Sequence, residues 1–308
     1  MQHFHIQQID IKKERPIDGN TKIFALLGHD LSYSMSFHLH NAAFQYFQYN
    51  AIYVPFVFHK NPISFFRSLC EEQNKNIQGC NITTPYKSMF LEQELELEKD
   101  IHIPFVLSEE VQQTRSTNTL IRQRNRWLAR NSDIEGFVQS VSHLDFLDRD
   151  ILILGAGGVC KSVVYALRHR MNLSTDQNIY IYNRTLSKAQ ILAKAYDLIF
   201  IDHLRHWPHN KNSVIINCTS LGQGSQKTLL AFDDPRAFLS DQIVIDLVYH
   251  TTPLLQKARQ DGATICDGLS MLIWQAAISF SWWTNTDIES CRDVMLASLS
   301  NYSKTFDV

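Results

Sequence analysis

Residues 155–158 read Gly-Ala-Gly-Gly, and Val159 and Cys160 follow. The glycines stand between four apolar residues at 151–154 and an apolar-periodic stretch through Val163, Val164, Ala166 and Leu167. Glycines at this spacing let the backbone turn sharply and approach a pyrophosphate, and the amides of the helix that follows face the phosphates. A Gly-x-Gly pair alone is an ordinary turn. Here it follows a strand and opens a helix, the context a dinucleotide site requires. Cys160 is small enough for close helix–strand packing. A second strand, 179–182, ends at Asn183-Arg184-Thr185, with Lys188 one turn on. A carboxylate there would hold the ribose 2′-hydroxyl of NAD. Arg184 and Lys188 instead can clamp a 2′-phosphate, and Arg184 can stack on adenine. Two solvated basic residues at a helix start are the alternative, but cations at that end are unfavourable without an anion. The stretch predicts NADP(H).

Three further places carry groups that can do chemistry. Ser34 and Ser36 flank a helix start, where hydroxyls and amides together can hold a carboxylate; equally, Ser36 is an ordinary helix cap. Asn81 and Thr83 are two apart on a strand and so share a face. Pro85 follows and starts a helix, which puts Lys87 in the first turn, the wrong end for a cation unless it faces a substrate. The plain alternative is a surface lysine. Asp133 follows Asn131-Ser132 and can cap a helix over 134–147, the structural alternative to a chemical role.

The elements that must position these residues alternate. Strands are expected at 23–27, 51–57, with Pro55 marking an edge, and 78–83. Residues 62–72 form a helix with proline at its start. Residues 118–121 and 126–129 form a hairpin. Strands at 199–202, 213–217 and 243–247 lie beyond the glycine turn. Strands alternating with helices predict an α/β protein with a parallel sheet, whose C-terminal strand ends line the cofactor crevice. Helices at about 269–278 and 287–300 close the chain.

The totals exclude several classes. The chain has 308 residues, 44% hydrophobic, enough for two domains. A net charge of −2 argues against nucleic acid or a membrane surface as partner. Arg122, Arg124, Arg126 and Arg130 cluster, but strand alternation assigns much of that run to a solvated face. Cys70, Cys80, Cys160, Cys218, Cys266 and Cys291 show no metal or redox spacing and read mostly as buried reduced thiols. No metal site is expected. No segment is long and apolar enough to span a bilayer, and the first residues lack a basic-then-apolar signal pattern, so a cytoplasmic protein is expected. Residues 1–20 read as a polar tail and the acidic run at 92–100 as a solvated helix face.

Taken together, these motifs resemble the shikimate dehydrogenase family over nearly the whole chain. Ser34-Met35-Ser36 with His40 is similar to its Ser-Lys-Ser motif, and Asn81-Ile82-Thr83-Thr84-Pro85-Tyr86-Lys87 to Asn-Val-Thr-x-Pro-Phe-Lys. Ser116-Thr117-Asn118-Thr119 and Asn131-Ser132-Asp133 match two more. On the cofactor side stand the glycine turn, Asn183-Arg184-Thr185, and Asn217-Cys218-Thr219-Ser220-x-Gly222. Asp267-Gly268-Leu269-x-Met271-Leu272 with Gln275 matches the closing motif.

The resemblance implies that Lys87 and Asp133 are the catalytic pair. Ser34 and Ser36 hold a ring carboxylate, and Asn81, Thr83, Asn118 and Gln275 contact substrate. The cofactor set comprises Gly155, Ala156, Gly157, Gly158, Val159, Asn183, Arg184, Thr185, Lys188, Cys218, Thr219, Ser220, Leu247, Gly268 and Met271. The implied fold is α/β in two domains. A Rossmann-type NADP-binding domain, 133–266, is inserted into an α/β substrate domain, 21–132 and 267–308. The implied reaction is reversible NADPH reduction of 3-dehydroshikimate to shikimate, by a monomer or homodimer without nucleic-acid or membrane partners. A quinate/shikimate or aminoshikimate dehydrogenase, or a non-catalytic NADP-binding regulator, are the rival readings. Met35, Phe37, Arg115-Ser116 and Ile134 depart from the family pattern, and the stretch between Lys87 and Asn118 is longer than usual.

Overall fold

The computed structural model describes residues 17–59, 62–92, 104–124, 126–174, 176–208, 210, 212–222 and 238–302. Most of the expected tail and nearly all of the acidic run lie outside these residues. In chain order the elements are β1 (Lys22–Gly28), α1 (Ser36–Tyr46), β2 (Ala51–Val57), α2 (Ile63–Ser68), β3 (Ile77–Ile82), α3 (Tyr86–Glu92) and β4 (Phe105–Leu107). Next come α4 (Glu109–Thr114), β5 (Thr119–Gln123), β6 (Arg126–Arg130), α5 (Ser132–Val141), β7 (Asp150–Leu154), α6 (Gly158–His169), β8 (Ile179–Tyr182) and α7 (Leu186–Tyr196). The chain continues through β9 (Ile199–Phe200), β10 (Ser213–Asn217), β11 (Ile243–Asp246), α8 (Pro253–Gln260), β12 (Thr264–Cys266), α9 (Leu269–Thr284) and α10 (Ile288–Tyr302). They form two compact units, one drawn from Met1–Ser108, Thr117–Arg130 and Ala276–Val308, the other from Glu109–Ser116 and Asn131–Gln275.

The first unit holds a mixed sheet of order β2-β1-β3-β5-β6-β4. β1 runs parallel to β2 and β3, β5 is antiparallel to β3 and β6, and β4 is parallel to β6. Pro55 sits on an edge strand, where a missing N–H is tolerated. β1 runs on through Gly28, one residue past the expected end of the strand. α2 ends earlier than its pattern suggests because other groups take its last carbonyls. Asn74 Nδ2 donates to Ser68 O at 2.8 Å, and Arg122 Nη1 and Trp127 Nε1 donate to Leu69 O. Arg122 is therefore a structural donor, not a solvated charge. Arg130 also departs from that expectation, with its guanidinium carbon 3.7 Å from the Trp282 ring centroid.

The second unit is an all-parallel sheet of order β9-β8-β7-β10-β11-β12. Numbered within the unit this is 3-2-1-4-5-6, the doubly wound dinucleotide-binding order. Ile151 and Ile153 pack on one face with Ile134, Phe137, Val163 and Val164. Leu152 and Leu154 pack on the other with Leu204, Leu254, Leu255 and Ala258. Both faces are covered, which is why these strands read as unbroken apolar runs. α5 stops at Val141 rather than continuing to 147. Ser140 and Ser142 hydroxyls donate back to Phe137 O and Gln139 O, and the chain turns so that Phe146 reaches the core. The six cysteines are free, and five of them are buried. No helix among the described residues is long and apolar enough to cross a membrane.

His40 lies at the centre of an aromatic cluster in the first unit. Its ring stacks on Tyr53 at 4.3 Å, with Trp283 at 5.2 Å and Phe280 at 6.3 Å. It is fully buried, and neither ring nitrogen has a hydrogen-bond partner among the described residues. Burial pushes its pKa down from 6.5 to about 3. The neutral form is the one that fits, so stability is full above about pH 6.5 and falls as pH drops toward 3, because only the unfolded chain takes up the proton. The expected slope from this group is about 1 kcal/mol per pH unit. Urea unfolding between pH 7 and 4 should show this loss, and His40→Phe should flatten it. An unchanged slope in the variant would remove His40 as its source.

Candidate active site

Topology gathers the first unit's polar residues at one end of its sheet. β1 and β3 are parallel, so the loops carrying Ser34 and Thr83 leave the same edge. β5 runs the other way, so Asn118, just before its start, lies at that edge too. Hydrogen bonds stitch these loops together. Thr83 N donates to Leu27 O at 2.9 Å, Ile82 N to Asn118 O at 2.8 Å, and Thr117 N to Lys87 O at 3.0 Å.

Ser36 does not cap α1. It is the first helical residue, Met35 occupies the cap position, and Ser34 Oγ accepts the Ser36 amide at 3.3 Å. Pro85 likewise precedes α3, which opens at Tyr86. Tyr86 anchors that start with its hydroxyl on Phe58 O at 2.5 Å, which leaves half-buried Lys87 in a first turn without an acidic residue.

Asn81 is used differently from the expectation. Its Nδ2 lies 3.1 Å from Asn118 O, Thr119 Oγ1 and Ser279 Oγ, and its Oδ1 accepts the Tyr53 hydroxyl at 2.8 Å. Both amide hydrogens are engaged inside the protein. Asn81 is thus a pin under Asn118, whose own Oδ1 accepts Thr119 Oγ1 at 2.9 Å. Thr83 lies just past β3, so strand alternation does not define its face.

In the second unit the N-cap of α5 is Asn131, whose Oδ1 accepts the Asp133 amide at 3.2 Å. Asp133 is the second residue of the helix and is buried. The capping role that competed with a chemical one for Asp133 belongs to its neighbour. Gln275 lies against the same helix: a Cβ added at Gly136 would sit 2.9 Å from Gln275 Cβ and 3.0 Å from its amide nitrogen. That close approach requires a glycine one turn after Asp133.

Most of the residues expected to bind the cofactor lie at the carboxyl edge of the parallel sheet. Gly155 has φ of +112°, and an added Cβ would lie 3.0 Å from Thr219 Cγ2 and 3.2 Å from the Cys218 carbonyl carbon. At Gly157 nothing lies within 4 Å, so the turn is open on its outer side. α6 begins without a side-chain cap and without an acidic residue in its first turn. Ala156, Gly158 and Val159 are half-buried around it. These features fit a pyrophosphate. Arg184, Thr185 and Lys188 are exposed at the start of α7, Asn183 Nδ2 closes the turn on Thr185 O at 2.8 Å, and α7 has no first-turn carboxylate. That donor set fits a phosphomonoester and includes no carboxylate to accept from a ribose 2′-hydroxyl.

Beside the turn, Cys218 N donates to Leu154 O at 2.8 Å, while the Thr219 amide and hydroxyl both donate to Asn217 Oδ1. Ser220 is exposed. Leu247 N donates to Asn217 O, and the Gly268 backbone lies directly against Leu247 with its N–H on Val248 O. Met271 is buried in the core below.

Buried Asp246 completes this edge. It accepts Asn217 Nδ2 at 2.9 Å, the Val248 amide at 3.1 Å and Thr252 Oγ1 at 2.6 Å. Burial pushes its pKa up despite these bonds. From the sequence, Gly136 and Asp246 have no assigned role, and Asn131 and Asn217 appear only as members of motifs. Asn131 had a signal, since asparagine two residues before the Asp133 amide is a strong N-cap. Among the described residues no three His, Cys, Asp or Glu side chains are placed to hold a metal ion.

Known proteins share this arrangement. Residues 26–100 match the family model for the shikimate dehydrogenase substrate binding domain, and residues 268–299 that for the shikimate 5'-dehydrogenase C-terminal domain. A crystal structure of shikimate dehydrogenase from Aquifex aeolicus superposes with a TM-score of 0.79 at 26% identity, covering 92% of this chain and 99% of that one. A shikimate dehydrogenase solved in complex with NADP+ gives 0.70, also at 26% identity, over 92% and 97%. The shikimate dehydrogenase (NADP+) of Dictyoglomus thermophilum is 31% identical over 277 residues, 87% of this chain and 93% of its own. That of Pyrococcus furiosus is 35% identical over 294 residues, 92% of this chain and 98% of its own. On the strength of that match along nearly its whole length, the chain belongs to the shikimate dehydrogenase family.

Proposed function

We propose that this chain is an NADP-dependent shikimate dehydrogenase that interconverts 3-dehydroshikimate and shikimate. The observation that carries the assignment of the acid–base pair is the cap of α5. Asn131 performs it, so buried Asp133 is not the residue that caps the helix. Support for NADP comes from the exposed Arg184 and Lys188 at the end of β8, with no carboxylate in the first turn of α7.

Ser34 and Ser36 hold the substrate carboxylate through hydroxyl and amide hydrogens. Thr83, Asn118 and Gln275 hold ring hydroxyls, and Asn81 supports Asn118 from below. NADPH, when bound, supplies the hydride to the ring ketone. Lys87 stabilises the oxygen as negative charge gathers there and passes it a proton. Asp133 is the second group of the acid–base pair, and in the reverse direction the hydroxyl proton returns to the protein. The turn from Gly155 to Val159 takes the pyrophosphate, Arg184 and Lys188 the 2′-phosphate. The rim of Cys218 to Ser220, Leu247 and Gly268 seats the nicotinamide half, with Met271 supporting it from the core beneath. The substrate unit corresponds to the mixed sheet and the cofactor unit to the parallel one. The enzyme works in the cytoplasm as a monomer or homodimer.

Two measurements test this. Purified protein should form NADPH from NADP+ and shikimate, with quinate the poorer substrate. Lys87→Ala should lower kcat by about 10²-fold or more while leaving the NADP+ dissociation constant close to wild type. No turnover with any substrate pair, despite NADP+ binding, would refute the assignment. Arg184→Ala should raise KM for NADP+ about tenfold and leave that for NAD+ nearly unchanged. Equal effects on both cofactors would detach Arg184 from the 2′-phosphate.

A further inference from the structure

The Asn131 side chain makes three hydrogen bonds, and only one of them caps a helix. Its Oδ1 accepts the Asp133 amide at 3.2 Å. Its Nδ2 donates to Ser116 O at 3.0 Å and to Ser162 Oγ at 2.9 Å. Ser162 lies on α6, and its hydroxyl reaches back to Gly158 O at 3.4 Å, as does that of Ser116. Asn131, Ser116 and Ser162 are all buried. One amide group thus ties the backbone of Asp133 to the first turns of the helix that the glycine turn opens.

Helix capping alone does not require this residue. Serine, threonine and aspartate cap as well as asparagine, but none presents an acceptor and two donors on one planar group. The second mount of α5 is Gly136, pressed against Gln275 one turn on. Between these two points the helix has little freedom to shift or rotate, and Asp133 sits in that span.

Resting on the assignment of Asp133 above, we infer that Asn131 is a positioning residue. It holds the Asp133 carboxylate in register with the dinucleotide-binding helix, and it acts through its two Nδ2 hydrogen bonds rather than through its cap. A displacement of about 1 Å at a reacting group costs on the order of 10²-fold in rate. Losing the tether therefore lowers kcat even where the helix, the fold and cofactor binding survive.

The test is a double-mutant cycle between Asn131→Ser and Asp133→Asn. Serine keeps an oxygen for the Asp133 amide but lacks both donors. Asn131→Ser should lower kcat about tenfold or more, with the NADP+ dissociation constant from fluorescence titration within about twofold of wild type. In the Asp133→Asn background the same change should have little further effect, because the group it positions is already gone. Ser162→Ala, which leaves the cap and the Ser116 bond intact, should give a smaller loss that is likewise absent in that background. It serves as the readout should Asn131→Ser fail to fold. Wild-type kcat in Ser162→Ala and in folded Asn131→Ser, or losses that multiply fully with Asp133→Asn, would overturn the positioning role. Wild-type activity in Asp133→Asn itself would instead overturn the catalytic assignment of Asp133 on which this inference rests.

Discussion

The second unit depends on a backbone that must bend where no side chain can follow. At Gly155 the chain has just left β7 with φ of +112°, and the Cys218 backbone and Thr219 side chain close over it. A residue with a Cβ would be strained by the torsion and crowded by its neighbour at the same point. The bend carries the chain from strand into α6 within a few residues and leaves the first amides of that helix without side-chain partners. Local bonds hold it there: Gly155 N donates to Tyr182 O, Cys160 Sγ to Gly155 O, and Cys218 N to Leu154 O. From the first turns of α6, contacts lead through Ser162 and Asn131 to Asp133.

Buried asparagines recur wherever loops meet. Asn81 joins β2, β3, the start of β5 and α9 through four partners. Asn131 joins three segments, and Asn217 joins the end of β10 to Asp246 on β11. A primary amide offers donors and an acceptor on one rigid plane, so it can satisfy several backbone and hydroxyl groups that burial would otherwise orphan. Each such network is costly to satisfy in part, and each lies at the end of a sheet from which functional loops project.

Two of the departures from the family motifs, Ile134 and Phe37, have packing roles. Ile134 is buried in the core with Phe137, on the side of α5 that faces the parallel sheet. The Phe37 ring lies 5.7 Å from that of Tyr53, within the aromatic cluster around His40. Met35 occupies the N-cap position of α1, where no side-chain hydrogen bond is made. Arg115 adopts φ of +49° between α4 and the strand that follows.

Much of this was legible in the residues themselves. Apolar runs bounded by glycine, proline and asparagine marked the strands, because a strand covered on both faces must be apolar throughout. The glycine turn and Arg184 specified the cofactor chemistry, because positive φ and a phosphate clamp each demand particular residue types close together in sequence. Tertiary structure alone settled who competes for each polar group. Whether Asp133 or Asn131 caps α5 turns on partners at Ser116 and Ser162, about 15 and 31 residues away. Whether Asn81 faces a ligand depends on Tyr53 and Ser279. The length of α2 depends on Arg122 reaching Leu69 O from another strand. Local propensity leaves such alternatives within about 1 kcal/mol of each other, and one long-range hydrogen bond in a buried setting is enough to choose between them.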